Sequence, residues 1–241
     1  MNPTLQSLIE AEQKATLLFQ EIEKRSLIQP GITEKEVNIK VYELANELFG
    51  IKKYWHKRIV RAGENTLLPY EENPPNTTIQ VDDILFLDFG PVFEEWEADF
   101  GRTFVVGDDP QKKKLAKDIE SAWHEGKAFY KANYDTITSA ELYAFTLELA
   151  KNYGWEYANE HCGHLIGNFP HEKLLGEEII NYIHPDNHTP MSAPDKFGNK
   201  RYWIYEIHFI DATNKFGGFF EQLVEYGFVI ILNELNNGIF N

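Results

Sequence analysis

Apolar and polar positions at the start of the chain alternate with helical spacing. Leu5, Leu8, Ile9, Glu12, Ala15, Phe19 and Ile22 recur on one face with Glu and Lys on the other, which predicts an amphipathic helix laid on a core. Pro30-Gly31 stops it. Thr33-Glu34-Lys35-Glu36 spells a capping box, and the second helix it opens runs through Leu48 and closes at Gly50. From Lys57 to Val106 the pattern changes to strands: a short one at 58–62, then a hairpin of 79–90 with 95–106. The stretches 63–66 and 71–76, the latter with Pro74-Pro75, are turn and loop chemistry. Asp109-Pro110 opens a third helix, reaching about Tyr130, and Thr138-Ser139-Ala140-Glu141 caps a fourth that ends at Gly154. Strands at 202–211 and 219–232 follow. Two helices then strands, twice over, predict one α+β domain spanning 1–241, with halves of about 1–108 and 109–241.

One strand breaks its own pattern. Ile84-Leu85-Phe86-Leu87-Asp88-Phe89-Gly90 reads as a buried strand, yet holds a carboxylate at its centre. A reversal at Phe93-Glu94 would set Asp88 opposite Asp99, with Cβ atoms roughly 5 Å apart. Two bare carboxylates that close repel, and one stays protonated unless a cation lies between them. A metal site is therefore the first expectation. The second half supplies more donors: Glu206 within Trp203-Ile204-Tyr205-Glu206-Ile207, Glu221 within Phe219-Phe220-Glu221-Gln222-Leu223, and His164 within Cys162-Gly163-His164-Leu165-Ile166-Gly167. Asp88, Asp99, His164, Glu206 and Glu221 form an oxygen-rich set with a single imidazole, which suits Mn, Co, Fe or Zn. Such a set can hold two ions about 3.5–4 Å apart and turn a bridging water into a nucleophile at neutral pH.

Composition narrows the partners. A formal net charge of −15 argues against nucleic acid, which needs a basic face. No stretch approaches the roughly 20 apolar residues that span a bilayer. The single cysteine, Cys162, suits a reducing compartment, so a cytoplasmic protein is expected, with Cys162 packed as a small apolar residue.

Residues 84–104, with Asp-Phe-Gly and Asp-x-x-Arg-Thr-Phe, resemble the first metal-ligand hairpin of the methionine aminopeptidase, aminopeptidase P and prolidase family. Gly163-His164-x-Ile166-Gly167 with His171-Glu172 resembles that family's histidine motif, and Ile59-Val60-x-Ala62-Gly63-x-Asn65 matches upstream. The resemblance implies the pita-bread fold, two pseudo-symmetric α/β halves around a metal centre, and hydrolysis of an amide bond after an N-terminal residue. It also implies metal ligation by Asp88, Asp99, His164, Glu206 and Glu221, with Glu206 shuttling a proton and His171 stabilising the oxyanion. Two divalent ions (Mn, Co, Zn or Fe) and a peptide substrate follow, by attack of a metal-bridging hydroxide, with Xaa-Pro or broad specificity and a homodimer left open. A catalytically silent peptide- or partner-binding member and a creatinase-type C–N hydrolase are the alternatives.

The family's further upstream histidine has no counterpart in Leu68-Pro69-Tyr70, where Tyr70 is the candidate replacement; Gly101 stands where Thr is usual and Ile207 where Pro is usual. Tyr70, Trp203 and His208 are the candidate substrate contacts, His208 because it lies two residues from Glu206 on the same sheet face. His184 and His188 sit in a polar, proline-marked loop and read as exposed. Glu225 competes with Glu221, but four residues along a strand it falls farther from the centre.

Overall fold

The computed structural model describes residues 2–171 and 178–225. Glu172 and the last part of the expected strand at 219–232 lie outside the described residues. The elements are α1 (Pro3–Lys24), α2 (Glu34–Phe49), β1 (Ile59–Ala62), β2 (Ile84–Phe89), β3 (Val92–Phe93), β4 (Trp96–Glu97), β5 (Phe100–Val105), α3 (Pro110–Ala132), α4 (Ser139–Tyr153), β6 (Glu156–Tyr157), β7 (Gly163–Leu165), β8 (Trp203–Asp211) and β9 (Phe216–Leu223). Local chemistry sets the helix ends. Thr33 and Thr138 each accept the N–H of the glutamate three residues on, and that glutamate reaches back to the cap. Asp109 accepts from Gln111 and Lys112 ahead of Pro110. Gly50 and Gly154 close α2 and α4 at φ 68° and 82°, a conformation that costs other residues a Cβ clash.

Among the described residues one antiparallel sheet runs β1-β2-β5-β9-β8-β6, with β7 also on β8. Helices cover one face of it. Phe19 from α1 and Val41 from α2 pack on Leu85, Leu87 and Phe89; Trp123 from α3 and Leu142 from α4 pack on Trp203, Tyr205 and Ile207. These sheet residues all hold odd positions of β2 and β8, so the even positions point to the other face.

The hairpin register differs from the expected one. Asp88 pairs with Gly101, not Asp99, because the reversal passes through the small β3–β4 ladder and turns at Glu94-Glu95, with Glu94 at φ 60°. The slip is two residues. An even slip conserves facing, so Asp88 and Asp99 still project to one side of the sheet.

Glu12 lies on the buried face of α1, 1% exposed, and accepts the Leu223 N–H at 3.1 Å. Burial outweighs that hydrogen bond and the nearby Arg102 charge and pushes its carboxyl from 4.5 up to about 8. Between those values the native protein binds a proton that the unfolded chain has released, so stability falls as pH rises through the window. Glu12→Gln keeps the hydrogen bond without the charge. Thermal unfolding should show the variant gaining on wild type between pH 5 and pH 8; equal pH profiles would contradict this.

Candidate metal centre

Three carboxylates of the site arise from one row across the sheet. Asp88 on β2 pairs with Gly101 on β5, Gly101 with Glu221 on β9, and Glu221 with Glu206 on β8. Residues paired directly across antiparallel strands share a face. Gly101 leaves a gap in that row, and a Cβ there would stand 2.6 Å from the Phe219 ring and 2.9 Å from Glu221 Cβ. Asp99, two residues before Gly101, is on the same face, and so is His164, whose partner Ile204 lies two residues from Glu206.

Asp99 is the hub. Its Oδ2 lies 3.1 Å from His164 Nε2, which is itself 3.8 Å from Glu221 Oε1. Its Oδ1 lies 3.0 Å from the Nε2 of His56, which stands 3.5 Å from Asp88 Oδ1. Two donor groups result, His56–Asp88–Asp99 and Asp99–His164–Glu221, the donor atoms of each within 4.8 Å of one another. Glu206 turns its Oε1 toward His161 Nδ1 and the Asn159 amide, each at 3.2 Å. All of these line a cavity of about 620 Å³ that also takes in Trp55, Tyr70, His171 and His208.

Residues 6–223 match metallopeptidase family M24. The chain belongs to that family. Among curated proteins it is 29% identical over 173 residues to the Xaa-Pro dipeptidase of Pyrococcus horikoshii, covering 68% of this chain and 48% of that one. It is 26% identical over 200 residues to a putative Xaa-Pro aminopeptidase of Mycoplasma genitalium, covering 77% and 55%. The chain thus spans about half the length of these relatives. Among solved structures, recombinant prolidase from Thermococcus sibiricus superposes with a TM-score of 0.72 at 19% identity, over 92% of this chain and 55% of that one. Methionine aminopeptidase from Thermotoga maritima gives 0.67 at 16%, over 94% and 98%. The fold of this M24 chain is the pita-bread fold.

Burial and neighbouring charge divide the protons among the carboxyls and imidazoles of this cavity. Burial alone would raise every carboxyl there; the charges of His56 and His164 overcome it at Asp99 and hold that group near 2. Asp88 is pushed up to about 7 by burial and by Asp99, against the pull of His56. Glu221 is raised well above its ordinary range by burial and by Asp99 and Asp88, while His161 keeps Glu206 low despite its burial. His56 and His164, which burial would depress, are raised to about 9 mainly by Asp99. Asp88 Oδ1 and Glu221 Oε2 are buried without a hydrogen-bond partner. Buried carboxylate oxygens without hydrogen bonds, set beside imidazole nitrogens, are donors that a cation would satisfy, so the donor set fits divalent metal.

His171 sits on the wall, its Nδ1 against the buried Glu97 carboxylate, which also accepts the His171 N–H at 3.2 Å. His208 contacts the Thr66 carbonyl at 2.7 Å and Asn159 Oδ1 at 3.1 Å. Tyr70 stands at the mouth, 42% exposed, its ring 5.8 Å from that of His56. The Arg61 guanidinium fixes this loop by donating to the carbonyls of Leu68, Pro69 and Glu72. Trp203 does not line this cavity. As an odd position of β8 it faces the helices, fully buried, with its indole N–H donated to Met191 at 3.1 Å.

His56, Trp55, His161, Asn159 and Glu97 escaped the sequence reading. His56 reaches the site because Gly90 has no side chain: a Cβ there would lie 2.1 Å from the His56 ring and 2.4 Å from the Trp55 indole nitrogen. Two signals were present, an aromatic-histidine pair just ahead of β1 and a histidine three residues before His164.

Ligands must shed protons to bind a metal. Calorimetric titration of the metal-free protein with Zn²⁺ at pH 7.5, in buffers of different ionisation enthalpy, should show release of about two or more protons per molecule. The release should shrink near pH 10, where His56 and His164 are already neutral. Heats independent of buffer would contradict this charge assignment.

Proposed function

We propose that this chain is a metal-dependent exopeptidase that hydrolyses the amide bond after an N-terminal residue, with Xaa-Pro or broad specificity. The observation that carries this reading is the pair of donor groups sharing Asp99, with unsatisfied oxygens buried on both sides, in a chain of family M24. The names of the relatives, Xaa-Pro dipeptidase and Xaa-Pro aminopeptidase, support the specificity. Asp88, Asp99, His164, Glu206 and Glu221 would hold two divalent ions (Mn, Co, Zn or Fe), whose chemistry is Lewis-acid polarisation of a carbonyl and acidification of a coordinated water.

The chain's own residues then divide the remaining work. Glu206 is oriented by His161 and Asn159, both on its Oε1, and that atom accepts and passes on the proton. Glu97 accepts the Nδ1–H of His171 and fixes the ring with Nε2 toward the cavity, where it donates to the oxyanion of the tetrahedral intermediate when the ring carries both protons. Trp55, Phe86 and Phe219 form apolar wall that limits water around the reacting bond. The acidic lining attracts a substrate ammonium group. His56 brings an imidazole to a site where Leu68-Pro69-Tyr70 brings none, which favours an enzyme over a silent binding domain.

Protein loaded with Mn²⁺, Co²⁺ or Zn²⁺ should cleave Xaa-Pro dipeptides, longer Xaa-Pro peptides or Met-peptides. Asp99→Ala and His164→Ala should lose that activity, while Glu97→Gln should lower kcat roughly 10- to 100-fold with a smaller change in KM. Two bound ions without cleavage of any of these substrates would replace the enzyme by the silent binding domain. No bound ion would remove the site assignment altogether.

A further inference from the structure

Asp99 is approached in one way from two sides, and the five-residue ligand set explains only one approach. His164 has Nδ1 2.8 Å from the carbonyl of the next residue, Leu165, and Nε2 3.1 Å from Asp99 Oδ2. His56 repeats this on the other oxygen, with Nδ1 2.7 Å from the carbonyl of the next residue, Lys57, and Nε2 3.0 Å from Asp99 Oδ1. A carbonyl only accepts, so Nδ1 carries the hydrogen in both rings and Nε2 is left facing carboxylate oxygens. A neutral ring would there oppose lone pair to lone pair with a carboxylate, so each contact needs a proton or a metal ion between Nε2 and the oxygen. Fixing one nitrogen on a backbone carbonyl while the other turns inward is how metal-ligating histidines are oriented.

The spacing agrees. Atoms each about 2.0–2.2 Å from a common ion stand roughly 3.0–3.5 Å apart, depending on whether the angle at the ion is nearer 90° or tetrahedral. His56 Nε2 is 3.0 Å from Asp99 Oδ1 and 3.5 Å from Asp88 Oδ1, the buried oxygen that has no hydrogen bond. The approach is also built in. Gly90 leaves the space that the ring fills, and Trp55, whose indole N–H is held by the Ala98 carbonyl at 3.1 Å, packs edge-on with ring centres 4.5 Å apart. Ring contacts of Trp55 with His164 at 5.2 Å and His171 at 5.4 Å tie the same segment to the second half of the chain.

We propose that His56 is a sixth ligand of the centre, binding through Nε2 the ion held by Asp88 and Asp99, so that each ion carries one imidazole. The proposal rests on the two-ion reading above and adds to it. An all-carboxylate position suits Mn²⁺ or Mg²⁺, whereas an added imidazole moves it toward Zn²⁺ and Fe²⁺. His56 would therefore set the metal preference of this ion.

Zinc X-ray absorption of the Zn²⁺-loaded full chain tests this through the number of imidazoles per zinc, alongside zinc stoichiometry. Wild type should bind two zincs and average one imidazole per zinc. His56→Ala and His164→Ala should each take the average to about one half, and the double variant to none. Calorimetry should show His56→Ala weakening one Zn²⁺ site at least about tenfold, with a smaller loss for Mn²⁺. If His56→Ala does not fold, His56→Gln and the wild-type count still decide. Two zincs with an average of one half in wild type would overturn the role of His56 and leave the metal centre standing. No zinc bound would overturn both.

Discussion

Charge on Asp99 is the constraint on which the rest of the site depends. Its carboxylate is 2% exposed and lies among Asp88, Glu206 and Glu221, where like charges in a poorly hydrated setting repel. Among the described residues, His56 and His164, one on each oxygen, offset it. The cost of bringing four carboxyls together follows directly from the row Asp88–Gly101–Glu221–Glu206 and from Asp99, two residues before Gly101 on the same face. Proteins rarely keep such an arrangement for stability, since apolar side chains of similar volume would serve the core better. A cation resolves the conflict, and the fold holds the donors in position for one.

The sheet makes this possible by separating two tasks. Its odd positions on β2 and β8 bury Leu85, Leu87, Trp203 and Tyr205 under the helices, and its even positions carry Asp88, Glu206 and His208 to the open face. A rigid packed layer behind the ligands keeps donor spacing from relaxing as charge changes. Loops complete the cavity: the segment with Trp55 and His56 enters through the space at Gly90, and Arg61 pins the carbonyls around Pro69 at the mouth.

Sequence reading succeeded where the physics is local or periodic. Thr33 and Thr138 announced their helices because a capping box involves only residues three apart, period-two facing set His208 on the Glu206 side of its strand, and the family motifs picked out Asp88, His164, Glu206 and Glu221, which line the same cavity. It faltered where an outcome hung on one backbone detail or on long separation. The two-residue slip of the hairpin came from a turn at Glu94-Glu95 that tolerates a positive φ without glycine. Trp203 was placed by nearness to Glu206, though an odd offset along a strand puts it on the opposite face. His56 meets Asp99 across 43 residues, through a gap that exists only because position 90 lacks a side chain. A search for the upstream histidine at Leu68-Pro69-Tyr70 could not find an imidazole that arrives from the other side of β1.

We propose that two metal ions share Asp99. Anomalous diffraction from crystals of the Mn²⁺- or Zn²⁺-loaded protein, recorded on both sides of the metal edge, tests it most directly. The account predicts two peaks, one beside Asp88 and one beside His164 and Glu221, both within bonding distance of Asp99. A single peak, or two peaks of which one lies away from Asp99, would contradict it.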